Sequence, residues 1–183
     1  MNANGQFKDP TDESEQPASD SQNAAGKDSG KVVAATEVQK QKQVVPWPEF
    51  DRKLIETEIS ENRQWKMIID NQVACIWATT FNDPQIWEER NNDPSIYLHR
   101  IATHPDFRGK NLVERILQWA INHAKENNKQ FIRMDTVGNN IGLINHYQKF
   151  GFEFAGPIKL KNTNGLPAHY HNATVSLFQK AVN

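Results

Sequence analysis

This chain of 183 residues has a single cysteine, Cys75, set in an apolar run. No internal disulfide can form, and a reducing, cytoplasmic setting is the expectation. An excess of positive charge is also missing. The net charge is −1 and the pI about 6.6, which argues against a nucleic-acid partner. No apolar stretch approaches the ~20 residues of a membrane span. The N-terminus has no apolar core of the kind a secretory signal needs. Leu and Ile are absent from residues 1–36, where Phe7 is the one aromatic. Such a polar segment cannot bury enough apolar surface to offset its backbone entropy. Residues 1–37 are therefore expected to be a disordered tail, and 38–183 the folded domain.

Beyond the tail, the pattern alternates. Pro48–Asn62 reads as a helix with Phe50, Leu54, Ile55 and Ile59 on one face, and Trp47 packs back on the core. Gln64–Ile69 and Val73–Phe81 read as strands joined at Asp70-Asn71, a hairpin signal. Asn82–Pro94 is a polar loop carrying Trp87, read as a buried clamp in preference to a substrate contact. Further strands are expected at Ile96–Thr103, Gln130–Thr136, Phe152–Leu160 and Asn172–Lys180. Helices follow Asn111 and Asn140, and Gly142 is read as allowing close backbone approach. The expected architecture is α/β (α+β), one mixed sheet with helices on both faces.

The most informative stretch is Ser95–Val113. An apolar strand stops at Pro105, and Arg108-Gly109-Lys110-Asn111 forms a basic turn. A helix follows with Leu112, Val113, Ile116, Leu117, Ala120, Ile121 and Ala124 on one face. Free N–H groups at a helix start, with Arg108 and Lys110 beside them, suit a phosphate. The turn lacks the Gly-Lys-Ser/Thr of a nucleotide P-loop and the three spaced glycines of a dinucleotide fingerprint.

From Ser95 to Gly156 the chain resembles the GNAT superfamily of acyl-CoA-dependent N-acyltransferases. The first motif reads Thr103-His104-Pro105-Asp106-Phe107-Arg108-Gly109-Lys110-Asn111-Leu112-Val113. The second is a strand to Val137, then Asn140, then Tyr147-Gln148-Lys149-Phe150-Gly151-Phe152. Small bacterial members with a similar Trp-Pro-Glu-Phe segment are the nearest in pattern. The family has glycine where this chain has Asn111, and Gly or Ala where it has Val113. Asn tolerates left-handed backbone, whereas a branched Val113 could crowd a pyrophosphate. No convincing first strand is present, Lys31–Ala35 being a poor candidate, so that strand is missing or replaced. Glu37–Val45 reads as the end of the first helical region.

The resemblance implies transfer of an acetyl group from acetyl-CoA to a primary amine, small or peptidic, by direct attack. It leaves a homodimer open. A catalytically silent acyl-CoA-binding or scaffold module of the same fold is the alternative. Tyr147 matches the proton donor to the departing sulfur. Asn140 matches the residue that bonds the pantetheine arm and equally suits a helix N-cap, and the two roles are compatible. Ile101, Ala102 and Thr103 line the thioester, with a backbone N–H of Ile101 or Ala102 for the oxyanion, and Arg108–Val113 hold the phosphates. His99 stands near the family's glutamate base. An imidazole of ordinary pKa, ~6.5, would serve, and a structural histidine is the other reading. His169 and His171 are the rivals. With no Cys or carboxylate at ligand spacing beside them, no metal is assigned. Arg100 and Arg133, inside strands, are expected to be ion-paired with Asp135 or another acid.

Overall fold

The computed structural model describes residues 6–7 and 50–182. Trp47, Pro48, the Lys31–Ala35 candidate strand, the Glu37–Val45 helical reading and the 37/38 boundary lie outside them. Helix α1 (Arg52–Ser60) begins later than its sequence pattern suggests. Asp51 caps it, accepting a hydrogen bond from the Lys53 N–H at 2.9 Å. Strands β2 (Gln64–Ile69) and β3 (Gln72–Thr80) form the expected hairpin. Its two turn residues, Asp70 and Asn71, have φ of 50° and 56°, the left-handed pair that matches strand twist.

The polar loop after β3 contains structure that its composition hides. It folds into a short helix, α2 (Pro84–Trp87), and a 3-10 turn over Glu88–Asn92. Trp87 is 2% exposed, so the buried-clamp reading holds. Then come β4 (Ser95–Thr103), α3 (Leu112–Glu126), β5 (Phe131–Val137), α4 (Ile141–Lys149), β6 (Glu153–Lys159) and β7 (Thr174–Ala181). Gly142 serves its own helix. A Cβ there would sit 3.3 Å from the Asn140 Oδ1 that caps α4, so the close approach is to a side chain and not to a second backbone.

With Gln6–Phe7 as β1, the sheet order is β1-β2-β3-β4-β5-β7-β6. β1, two residues from the segment expected to be a disordered tail, pairs parallel with β2. An outer strand with unpaired N–H and C=O groups recruits even a short extended segment. Of the two alternatives for the first strand, absent or replaced, this pairing matches replacement.

Alternation along the strands separates two apolar layers. Ile96, Leu98, Ile132, Met134 and Phe178 face one side with α3 and its Trp119; Ile144 and Tyr147 of α4 pack there too. Tyr97, Val175 and Leu177 face the other side with Ile86 and Trp87 of α2. This division decides which side chains can meet at the site.

Candidate active site

Two interruptions of the sheet coincide at β4. Its parallel pairing with β5 runs only from Ser95↔Phe131 to Tyr97↔Arg133, after which the strands diverge. On its other edge, Ala78 pairs His99 and Ile76 pairs Ala102, so Arg100 and Ile101 together oppose Trp77. This is a β-bulge, and Arg100 within it has φ of 52°. A non-glycine residue in that region costs roughly 1–2 kcal/mol and needs support from its surroundings. Support comes from α1. The Arg100 guanidinium donates to the buried Glu58 carboxylate and lies over the Phe50 ring at 5.0 Å. Glu58 also accepts from Gln64 Nε2 at 2.7 Å and pairs with Arg63 at 3.5 Å. The acid that pairs Arg100 is thus Glu58 and not Asp135. Ala102 is buried, Ile101 half-buried on the core, and Thr103 Oγ1 lies 3.7 Å from the Cys75 sulfur.

Across the divergence, two residues beyond the last β4–β5 pair, His99 and Asp135 face each other. His99 Nδ1 is 3.8 Å from Asp135 Oδ1, and Nε2 is 3.5 Å from Asp83 Oδ2. Tyr170, from the 3-10 turn Ala168–Tyr170, donates its hydroxyl to Asp135 Oδ2 at 2.8 Å. Burial and then the neighbouring Asp135 push Asp83 up to about 7, against an N–H bond from Ile86 that lowers it. Asp135 is raised to about 6 by burial, although the Tyr170 bond pulls the other way. His99 is pushed down to about 3, by burial first and then by Arg100 and Arg63. The ordinary imidazole pKa expected of His99 is therefore not met, because the half-buried ring loses solvation and feels two arginines. At neutral pH it is uncharged, and the group that ionises there is Asp83.

Tyr147 lies on the opposite face. Its ring packs against Phe178 at 5.0 Å between centroids and Phe152 at 6.0 Å. Burial, then Asp135, raises its hydroxyl to about 12, so it keeps its proton throughout the working pH range. Asn140 accepts from the Leu143 N–H at 3.1 Å, so the capping reading of that residue describes it.

The basic turn has the geometry that its sequence suggested. Asn111 takes φ 53° and ψ 32°, opening α3 with no side-chain cap. Gly109 has φ of 77° with nothing within 4 Å of where a Cβ would stand. Arg108, Gly109, Lys110 and Asn111 are exposed, with the Lys110 ammonium 4.7 Å from the Phe107 ring centre. Leu112 is buried, and Val113 packs on the core, so its branched side chain does not stand over the turn. Free N–H groups, an open approach and two exposed cations fit an anionic phosphate chain.

Sequence and structure comparisons give this frame a context. The acetyltransferase (GNAT) family matches residues 32–152. The chain belongs to the GNAT acetyltransferase family. The uncharacterized N-acetyltransferase YesJ of Bacillus subtilis (strain 168) is 38% identical over 74 residues, 40% of this chain and 41% of that protein. The spermine/spermidine N(1)-acetyltransferase of the same strain is 33% identical over 73 residues, 39% of this chain and 48% of that protein. These matches span less than half the length of either relative. A GNAT-family acetyltransferase from Listeria monocytogenes shares the fold at a TM-score of 0.68 and 23% identity, over 86% of this chain and 88% of that one.

Within this GNAT domain, sequence reasoning missed Asp83 and Asp135 as members of the site. Asp83 lies in a loop with no periodicity, and Asp135, inside a strand beside Arg133, reads from sequence as an ion-pair partner alone. Among the described residues, Asp83, His99 and Asp135 are the group of His, Cys, Asp or Glu whose ligand atoms approach within 4.8 Å. The two carboxylates address opposite ring nitrogens, an arrangement suited to moving protons. A metal ion would occupy only one of those nitrogens. Of the two rival histidines, His169 packs its ring on Tyr170, 4.4 Å between centroids, with Nδ1 buried and unpartnered, and His171 Nε2 lies 3.2 Å from the Leu166 carbonyl.

The cluster also has a sign for stability. Asp83 and Asp135 have folded pKa values above their unfolded value of 3.8, so the folded state binds extra protons between about 4 and 7. Their contribution is favourable at low pH and is lost as pH rises through 6 to 7. His99 acts oppositely, gaining stability as pH rises from about 3 to 6.5. Asp83→Asn removes the cost of a buried anion. Its melting temperature is expected to exceed wild type at pH 8 and to match it at pH 4. Equal melting temperatures at pH 8 would contradict this assignment.

Proposed function

We propose that this chain is an N-acetyltransferase that moves the acetyl group of acetyl-CoA to a primary amine by direct attack. The carrying observation is the divergence of β4 from β5, with a protonated phenol on one face and a carboxylate–imidazole–carboxylate cluster on the other. The turn Arg108–Val113 would hold the phosphates, and Ile101–Thr103 would line the thioester. A backbone N–H of Ile101 or Ala102, beside the bulge, serves the oxyanion. Tyr147 holds a proton at the departing sulfur. His99 stands at the base position as a neutral imidazole and hands protons on to its carboxylates. Asn140 keeps α4 in place and offers its remaining polar atoms to the pantetheine arm. The amine acceptor is supported by the relative that acts on spermine and spermidine.

The test is release of free CoA thiol from acetyl-CoA with a panel of primary amines. Transfer to none of them, with CoA still bound, would leave the silent acyl-CoA-binding module as the function. For the turn, Arg108→Ala is expected to weaken CoA binding by about tenfold at low salt, and by less at high salt, because an exposed charge pair is screened. Calorimetry at two ionic strengths reads this. An unchanged affinity would move the phosphates elsewhere.

A further inference from the structure

Resting on that function, we propose that Asp83 is a further catalytic residue: it receives the acceptor's ammonium group and takes its proton, with His99 bridging to Asp135. Asp83 Oδ2 is buried and has no hydrogen-bond partner, the only carboxylate oxygen of which that is true among the described residues. An anionic oxygen without a donor is costly unless a cation or a donor visits it. It lies 3.5 Å from His99 Nε2, on the face of the sheet opposite Tyr147. An amine held at the β4–β5 divergence on that face has the His99–Asp83 pair beside it, across the sheet from Tyr147.

The surroundings allow Asp83 to act as a base and not only as an anchor. His99 from β4, Asp135 from β5 and Tyr170 from the turn before β7 face it, with Arg100 and Arg63 farther back. Burial and Asp135 together hold its ionisation near neutrality. A simple ammonium has a pKa of ~10.4 and carries no free lone pair at pH 7. Its proton passes to Asp83 Oδ2, the nitrogen lone pair forms the new C–N bond as the carbonyl π electrons move onto oxygen, and the C–S bond breaks as that oxyanion collapses. The nitrogen loses a second proton through His99 Nε2 to Asp135. Sulfur gains one from Tyr147, which is reprotonated from solvent. Asp83 and Asp135 then return their two protons to water while Tyr147 takes one back, so each acetyl transfer releases one proton. The preferred acceptor is then a cationic alkylamine, and its neutral hydroxyl analogue finds no partner at this oxygen.

The experiment uses the full chain with CoA bound and 1,4-diaminobutane as the probe. Calorimetry at pH 7.5 compares wild type, Asp83→Asn and Asp83→Glu. Binding is expected in wild type, to weaken at least tenfold in Asp83→Asn and to recover in part in Asp83→Glu. In the thiol-release assay, kcat/KM of Asp83→Asn is expected to fall by about 10²–10⁴ at pH 7 with CoA affinity unchanged. The rise of kcat/KM near pH 7 should move in that variant to the amine's own ionisation. No diamine binding to wild type, or equal binding to Asp83→Asn, overturns the ammonium site. An unmoved pH rise overturns the base role. If no amine in the panel releases thiol while the diamine binds through Asp83, it is the acetyl-transfer reading that fails and the cation site stands.

Discussion

Replacing Tyr147 by phenylalanine is expected to lower turnover by about 10²–10⁴-fold while CoA affinity changes little. The substitution removes one hydroxyl and no packing atom of the ring, which is held by Phe178 and Phe152. Because burial and Asp135 push that hydroxyl up to about 12, it stays protonated across any practical assay range. Its loss should therefore lower rates uniformly with pH and introduce no new ionisation. That separates it from Asp83, whose substitution is expected to move the profile. Comparable turnover in Tyr147→Phe and wild type would remove the phenol from the mechanism. A large drop in melting temperature would show instead that the hydroxyl carries structure.

Arg133→Met is expected to cost about 3–5 kcal/mol of folding stability, the range for breaking a buried ion pair from one side. The guanidinium is 1% exposed and lies over the rings of Trp87 at 4.7 Å and Phe131 at 5.1 Å. It donates to Asp93 at 2.5 Å, to Gln179 at 2.8 and 2.6 Å, and to the Arg90 carbonyl. Methionine fills the space but leaves Asp93, Gln179 and a carbonyl without their donor. Asp93 is about half exposed and can rehydrate, which places the expectation toward the lower end. Arg133→Lys should recover only part, since one ammonium cannot reproduce the planar fork. Chemical denaturation reads both variants, and a loss below about 1 kcal/mol for Arg133→Met would show the network to be dispensable.

The strands and the helix after the basic turn were legible because each has a local cause, whereas Tyr147 stood out only through the family resemblance. An apolar run stopped by Pro105 marks β4, apolar residues at helical spacing mark α3, and Asp70-Asn71 marks a turn. The left-handed Asn111 followed from the one property that lets Asn replace Gly. What was not legible depends on groups distant in sequence. Glu58 supports Arg100 from 42 residues away, and Arg133 finds Asp93 from 40. His99 has an ordinary pKa in isolation; only the fold supplies the burial and the two arginines that lower it. Asp83 carries no signal in sequence beyond preceding a proline. The pairing of Gln6–Phe7 with β2 is a backbone event to which side-chain composition is nearly blind.

The separation of Tyr147 from the His99 cluster by the thickness of one sheet has a kinetic consequence. The divergence of β4 and β5 makes the sheet a wall with a slot. Under the proposed function, donor and acceptor use different doorways and react through the slot. Neither must leave for the other to arrive, and no protein nucleophile need carry the acetyl group in between. Initial-rate lines taken at several concentrations of each substrate should therefore intersect. CoA, the spent donor, should compete with acetyl-CoA and not with the amine.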